Sequence, residues 1–113
     1  MEGIMKLALF IFSFFCLEAL EYEPQFENES VKIARVKIEP HEEIGLHRDA
    51  YPQVVIALKG GTMLRLESDG LIKEVSFPTG TAIFREMDPP DELHKSVNPG
   101  DTPVELMIIQ LKK

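Results

Sequence analysis

The stretch Pro40 to Gly61, PHEEIGLHRDAYPQVVIALKGG, decides how the chain reads, because it sets His47, Asp49 and Gln53 at even spacings in a strand-like run. Residues two, four or six apart on a strand share one face. Three side chains able to ligate a metal are therefore expected to point the same way, with Tyr51, Val55 and Ala57 on their side. Gly60-Gly61 closes the run.

Toward the C-terminus the period of two continues. Met63 to Glu67 alternates, with Leu64 and Leu66 on one face, and Asp69-Gly70 signals a hairpin into Leu71 to Phe77. Pro78-Thr79-Gly80 makes a turn before a strand over Thr81 to Glu86. Met87 to Glu92 is a loop stiffened by Pro89 and Pro90, and a strand over Leu93 to Val97 follows it. Asn98-Pro99-Gly100-Asp101 turns into a closing strand, Val104 to Leu111. Toward the N-terminus, Val31 to Ile38 is strand-like, but its apolar phase changes between Ile33 and Val36, which predicts a bulge or break at Ala34 and Arg35. Residues 20–30, LEYEPQFENES, read as an extended acidic arm. Short strands separated by turn chemistry, with no long helix and no repeat, predict a single all-β domain, a sandwich or barrel, over residues 31–113.

The run from His47 resembles the first motif of the cupin family, whose order is His, one residue, His, three or four residues, Glu, six residues, Gly. His47, Asp49, Gln53 and Gly60 stand at those positions, with Asp49 in place of a family His and Gln53 in place of the family Glu. Downstream, Pro89, Asp91, His94 and Asn98 match the end of the second motif, with Asp91 where the family has Gly. The first Gly of the first motif is here His41, and Gly80 lies three residues further upstream than the second motif's opening Gly. The resemblance selects a small double-stranded β-helix (jelly-roll) barrel. It also implies a divalent metal (Fe, Mn, Ni or Zn) held by His47, Asp49, Gln53 and His94.

Two imidazoles, a carboxylate and an amide oxygen form a mixed nitrogen and oxygen set, and two His with one carboxylate are also the donors of the non-haem iron facial triad. A structural reading stands beside this one: His94 and Asn98 closing a turn by hydrogen bonding, and His47 with Asp49 lining a polar pocket. Arg85 is a candidate to grip a carboxylate substrate, or else a solvated pair with Glu86 or a dimer contact. Tyr51 either lines the pocket or fills it. His41, between Pro40 and a pair of glutamates, reads as exposed in a turn. Ser96 shares a face with His94, without a nucleophile elbow around it.

The chain has 113 residues and a formal net charge of -7. That sign, and the absence of any basic cluster with interleaved aromatics, argues against nucleic acid. Residues 5–19 carry Lys6, the apolar LALFIFSFF and a small residue at Ala19, the pattern of a secretory signal, with Met5 as a natural start. The alternative is a buried element of the fold. The run is too short for a membrane-spanning helix. Cys16, the only cysteine, lies within it, and Phe14 and Phe15 before it argue against a lipoprotein. A mature chain beginning near Leu20 would then be exported, periplasmic or extracellular, without disulfides or thiolate chemistry. Its small core favours a homodimer, for which Val31 to Ile38 offers a strand to pair with a partner's sheet edge. Two functions follow: a non-catalytic module binding a metal or small polar molecule, or a metal-dependent oxygenase or isomerase acting on a small acid or sugar.

Overall fold

A computed structural model describes residues 20–113. The signal segment expected over residues 1–19, with Cys16, lies outside the described residues. Nine antiparallel strands form two sheets: β1 (Leu20–Glu27), β2 (Val31–Ile38), β3 (Glu43–His47), β4 (Gln53–Lys59), β5 (Gly61–Glu67), β6 (Ile72–Phe77), β7 (Ala82–Arg85), β8 (His94–Val97) and β9 (Val104–Leu111). The larger sheet runs β1-β2-β9-β4-β7 and the smaller β3-β8-β5-β6. No described helix is long and apolar enough to cross a membrane.

Alternation along each strand builds the interior. Val36, Ile38, Val55, Ala57, Met63, Phe77, Val104 and Leu106 form one buried cluster between the sheets. Full burial of a large aliphatic or aromatic side chain is worth about 1.5–3 kcal/mol, so this cluster is the main source of cohesion in a chain with no described disulfide. Gly60 serves it: a Cβ there would lie 1.8 Å from the Phe77 carbonyl oxygen, so only glycine lets these two backbones approach. Gly70, at φ 92°, completes a tight loop in which the Gly70 amide donates to the Glu67 carbonyl and the Glu67 amide to the Leu71 carbonyl.

Three sequence expectations change. The register of β2 on β9 runs without interruption from Val31 opposite Leu111 to Ile38 opposite Val104, so β2 has no bulge at Ala34 and Arg35. The irregularity lies in β1 between Pro24 and Phe26, where a proline on an edge strand lacks the amide for regular pairing. The phase change arises because Ile33 faces outward while Ala34, Val36 and Ile38 are buried. Residues 20–27 of the acidic arm form edge strand β1, so β2 is flanked on both sides and offers no free edge to a second copy. Finally, His47 and Gln53 do not share one strand: β3 ends at His47, β4 begins at Gln53, and Asp49 lies in the loop between them.

Asn98 explains how the barrel's other end closes. Its buried side chain donates to the carbonyls of Ile38 and Thr102, at 3.0 and 2.9 Å, and accepts the Gly100 amide at 3.0 Å. Asn98 thus closes the turn as the structural reading of the His94 and Asn98 pair has it, but His94 takes no part in it. His41 is exposed in the adjoining turn.

Candidate metal centre

The β3–β4 loop is held by a second loop 39 residues downstream. Asp88, in the β7–β8 connection, accepts the Asp49 amide on Oδ2 at 2.8 Å, and its own amide donates to the Asp49 carbonyl at 2.8 Å. Arg48 adds two bonds, donating to the carbonyls of Pro89 and Asp88 at 2.9 and 2.8 Å. Pro52 removes one donor from the loop, and these contacts satisfy backbone groups that a continuous strand would have paired.

With the loop fixed, Asp49 is wedged between two imidazoles. His47 pairs with His94 across β3 and β8, and their ring centroids lie 4.3 Å apart. The His47 Nε2 is 3.6 Å from one Asp49 oxygen and the His94 Nε2 is 3.6 Å from the other. All three donor atoms fall within 4.8 Å of one another. Donors on one first-row ion at about 2.0–2.2 Å from it stand roughly 3–3.5 Å apart, so a small inward shift of the side chains brings these three onto a single ion.

The tautomers suit that role. The His47 Nδ1 lies 2.7 Å from the Gly45 carbonyl, so it carries the proton and leaves Nε2 its lone pair. The His94 Nδ1 is 3.1 Å from Asp88 Oδ2 yet off a hydrogen-bonding direction, and it is a buried nitrogen without a partner. If Nε2 held a cation, the proton would stand on Nδ1, beside the Asp88 carboxylate. Burial pulls the His94 pKa below its usual value, with help from the Arg65 and His47 charges, and Asp49 and Asp88 oppose this without cancelling it. That shift favours the neutral form of His94, the form that ligates a metal.

Comparison with solved structures places this barrel among known ones. A cupin domain from Bordetella pertussis Tohama I superposes with a TM-score of 0.74 at 25% sequence identity, over 84% of this chain and 95% of that one. The fold is the cupin fold. A protein with a double-stranded β-helix domain from Klebsiella pneumoniae matches this cupin barrel at a TM-score of 0.63 and 14% identity, over 86% and 80% of the two chains. The polyketide cyclase RemF from Streptomyces resistomycificus gives 0.61 and 17%, over 85% and 67%. No protein-family model matches the sequence, and no curated protein matches it.

In this cupin barrel the expected ligands divide. His47, Asp49 and His94 converge. Gln53 begins β4 on the opposite sheet, buried, and lines a cavity of about 420 Å³ with Tyr22, Lys32, Ala34, Ile108 and Gln110, none of which belongs to the cluster. Tyr51 is 39% exposed in the β3–β4 loop and lines no described cavity beside the cluster. Arg85 faces inward beside Gln53 and lines the barrel interior.

Three further residues complete the site. Arg65 donates to Glu67 and to Asp88, both at 2.6 Å, and its Nη1 lies 3.9 Å from Asp49. Burial works against the Arg65 charge, but the two carboxylates outweigh it and raise its pKa above the ordinary value. The cluster thus carries a built-in cation that competes with a metal for the negative charge of Asp49. Arg65 and Glu67 gave a signal only as alternating residues of a strand, and Asp88 only as a residue before two prolines; their convergence needs the tertiary structure.

Proposed function

We propose that this cupin is a binding module that holds a divalent ion at His47, Asp49 and His94 and a small polar ligand in the adjoining barrel. The observation that carries this reading is the placement of two imidazole Nε2 atoms at 3.6 Å from the two separate oxygens of Asp49. The second nitrogen of His47 is bonded to the Gly45 carbonyl, and that of His94 lies 3.1 Å from Asp88 Oδ2. A bound ion would supply Lewis acidity toward a ligand oxygen. Within the chain, Asp88 positions Asp49 and Arg65 and stands beside His94, and Asp49 contributes the negative charge. Arg65, 3.9 Å from Asp49, offsets part of its charge and lowers the affinity expected for the ion. Metal analysis of the protein purified without an affinity tag tests this reading. Stoichiometric iron, manganese, nickel or zinc supports it, whereas a metal-free protein that takes up none of the four below millimolar concentration overturns it.

A second reading follows from the donor set. Two His and one carboxylate leave coordination positions open for a substrate, and the polyketide cyclase RemF shares the fold. Metal-dependent oxygenation or isomerisation of a small acid or sugar is the enzymatic version of the same site, and metal-dependent turnover would distinguish it from binding alone.

Export and self-association belong to the same proposal. Lys6 followed by the apolar run to Phe15 supports secretion; N-terminal sequencing of a product beginning near Leu20 would agree, and retention of residues 5–19 would refute it. Dimerisation is supported by the outer face of the larger sheet, where Phe26, Ile33, Ile109, Val54 and Phe84 lie directly opposite one another across all five strands. Beside this apolar row stand Glu21, Glu23, Arg35, Lys37 and Lys59, both signs together. A two-fold contact between copies needs that self-complementary mixture.

A further inference from the structure

The interior of the larger sheet carries a polar row that the metal centre does not use. Arg85 is opposite Gln53, Gln53 opposite Gln110, and Gln110 opposite Lys32. Two residues further along each strand the same face turns apolar, with Ile83, Val55, Ile108 and Ala34. The inner wall therefore has a polar rim above an apolar floor.

Arg85 stands out within this row. The chain has four arginines, and three are engaged: Arg35 with Glu105, Arg48 with two loop carbonyls, and Arg65 with Glu67 and Asp88. Among the described residues Arg85 has no side-chain hydrogen bond and no ion pair, although it is half-buried. Glu67, Glu74, Asp88 and Glu92 line the outer pocket beside it, and none of them pairs with it. A partly desolvated guanidinium without an anion is an uncompensated cost. The cavity it lines, about 90 Å³, is walled by Val36, Ile38, Met63, Phe77 and Leu106, with Ser96 and the already satisfied Arg65 as its other polar groups. Ser96 follows His94 by two residues on β8 and shares its inward face, so this cavity lies on the same side of β8 as the metal cluster.

We propose that the barrel binds a short aliphatic carboxylate, its carboxylate on the fork of Arg85 and its hydrocarbon body in the apolar cavity. The guanidinium matches a carboxylate with two parallel hydrogen bonds. The apolar walls reject a second charge, and the small volume restricts the body to a short chain. Glu67 and Asp88 already take donors of Arg65, whereas Arg85 has no bonded partner among the described residues, which leaves Arg85 as the anchor. This inference names the ligand class for the barrel and rests on the reading of it as a binding module.

The test is calorimetric titration of the full protein with butyrate and isovalerate, and with butyramide and isovaleramide as neutral counterparts, with and without added zinc. The acids are expected to saturate and the amides to bind at least tenfold more weakly, the loss expected for one charge-assisted pair. Arg85→Gln should lower acid affinity by a similar factor, and Arg85→Lys should recover part of it. Equal binding of acid and amide, no saturable binding of either acid, or an Arg85→Gln protein that binds the acids like the parent would each overturn the proposal. The comparison of acid with amide needs no variant, so it stands even if Arg85→Gln does not fold. Acid binding without zinc binding would refute the metal centre alone, and zinc binding without acid binding would refute the carboxylate site alone.

Discussion

The Nδ1 of His94 lies 3.1 Å from the Oδ2 of Asp88, two side chains from opposite ends of one loop, inside the barrel. That oxygen also accepts the Asp49 amide. One carboxylate thus holds the loop that carries Asp49 and stands beside the imidazole that faces it.

Asp49 decides whether the cluster is a metal centre. Asp49→Asn removes the only charged donor among the three, and affinity for iron(II), manganese, nickel and zinc should fall steeply. Asp49→His should retain or raise affinity for the imidazole-preferring metals nickel and zinc. If Asp49 only pairs with its neighbours, calorimetric titration will show parent and variants alike, and stability will change by about 1 kcal/mol.

Arg65 is expected to hold the site together. Arg65→Met would leave the nearly inaccessible Asp88 carboxylate without its cation, and Glu67 with only Lys73 at 3.7 Å. Removing one partner from such a group costs about 3–5 kcal/mol. Urea unfolding should show a loss of that order; a loss below about 1 kcal/mol would mean that the network behaves as a surface one.

Acid should destabilise the protein through two carboxylates. Burial pushes the Asp88 carboxyl up, but Arg65 and the Asp49 amide outweigh it and leave the pKa below the ordinary 3.8. The hydrogen bond from Arg35 holds Glu105 below the ordinary 4.5. A carboxyl whose folded pKa is lowered is protonated first in the unfolded chain, so its contribution is complete above the ordinary value and is lost as pH falls through the lowered one. Stability should therefore change little from these groups between about pH 7 and 5 and fall below about pH 4. Glu105→Gln should be less stable than the parent at neutral pH and lose less on acidification. Parallel acid profiles for the two proteins would contradict this.

The outer apolar row predicts self-association. Sedimentation at micromolar concentration should give the mass of two chains for the parent and of one chain for a Phe26→Ser, Phe84→Ser double variant. Both residues are more than half exposed, so the substitutions leave the core intact. A parent that sediments as one chain would exclude the dimer.

Much of this molecule is written in its local pattern. Alternation and turn residues located β2 and β4 to β9 to within a few residues, because successive side chains of a strand face opposite sides and β2 and β4 bury every second one. Motif spacing singled out His47, Asp49 and His94, and the fold brings those three together. What local pattern could not supply was pairing between distant segments. β1 is almost wholly exposed and acidic, so it has no apolar period, and its strand character comes from its neighbour β2. The even spacing of His47, Asp49 and Gln53 suggested one strand face, yet a loop intervenes and Gln53 lies on the other sheet. Asp49 meets the histidines because Asp88 and Arg48 clamp that loop from about forty residues away. Arg65 and Arg85 look alike in sequence; only the tertiary structure surrounds one with carboxylates and leaves the other facing an apolar cavity without a partner, because that distinction depends on which strands are brought side by side.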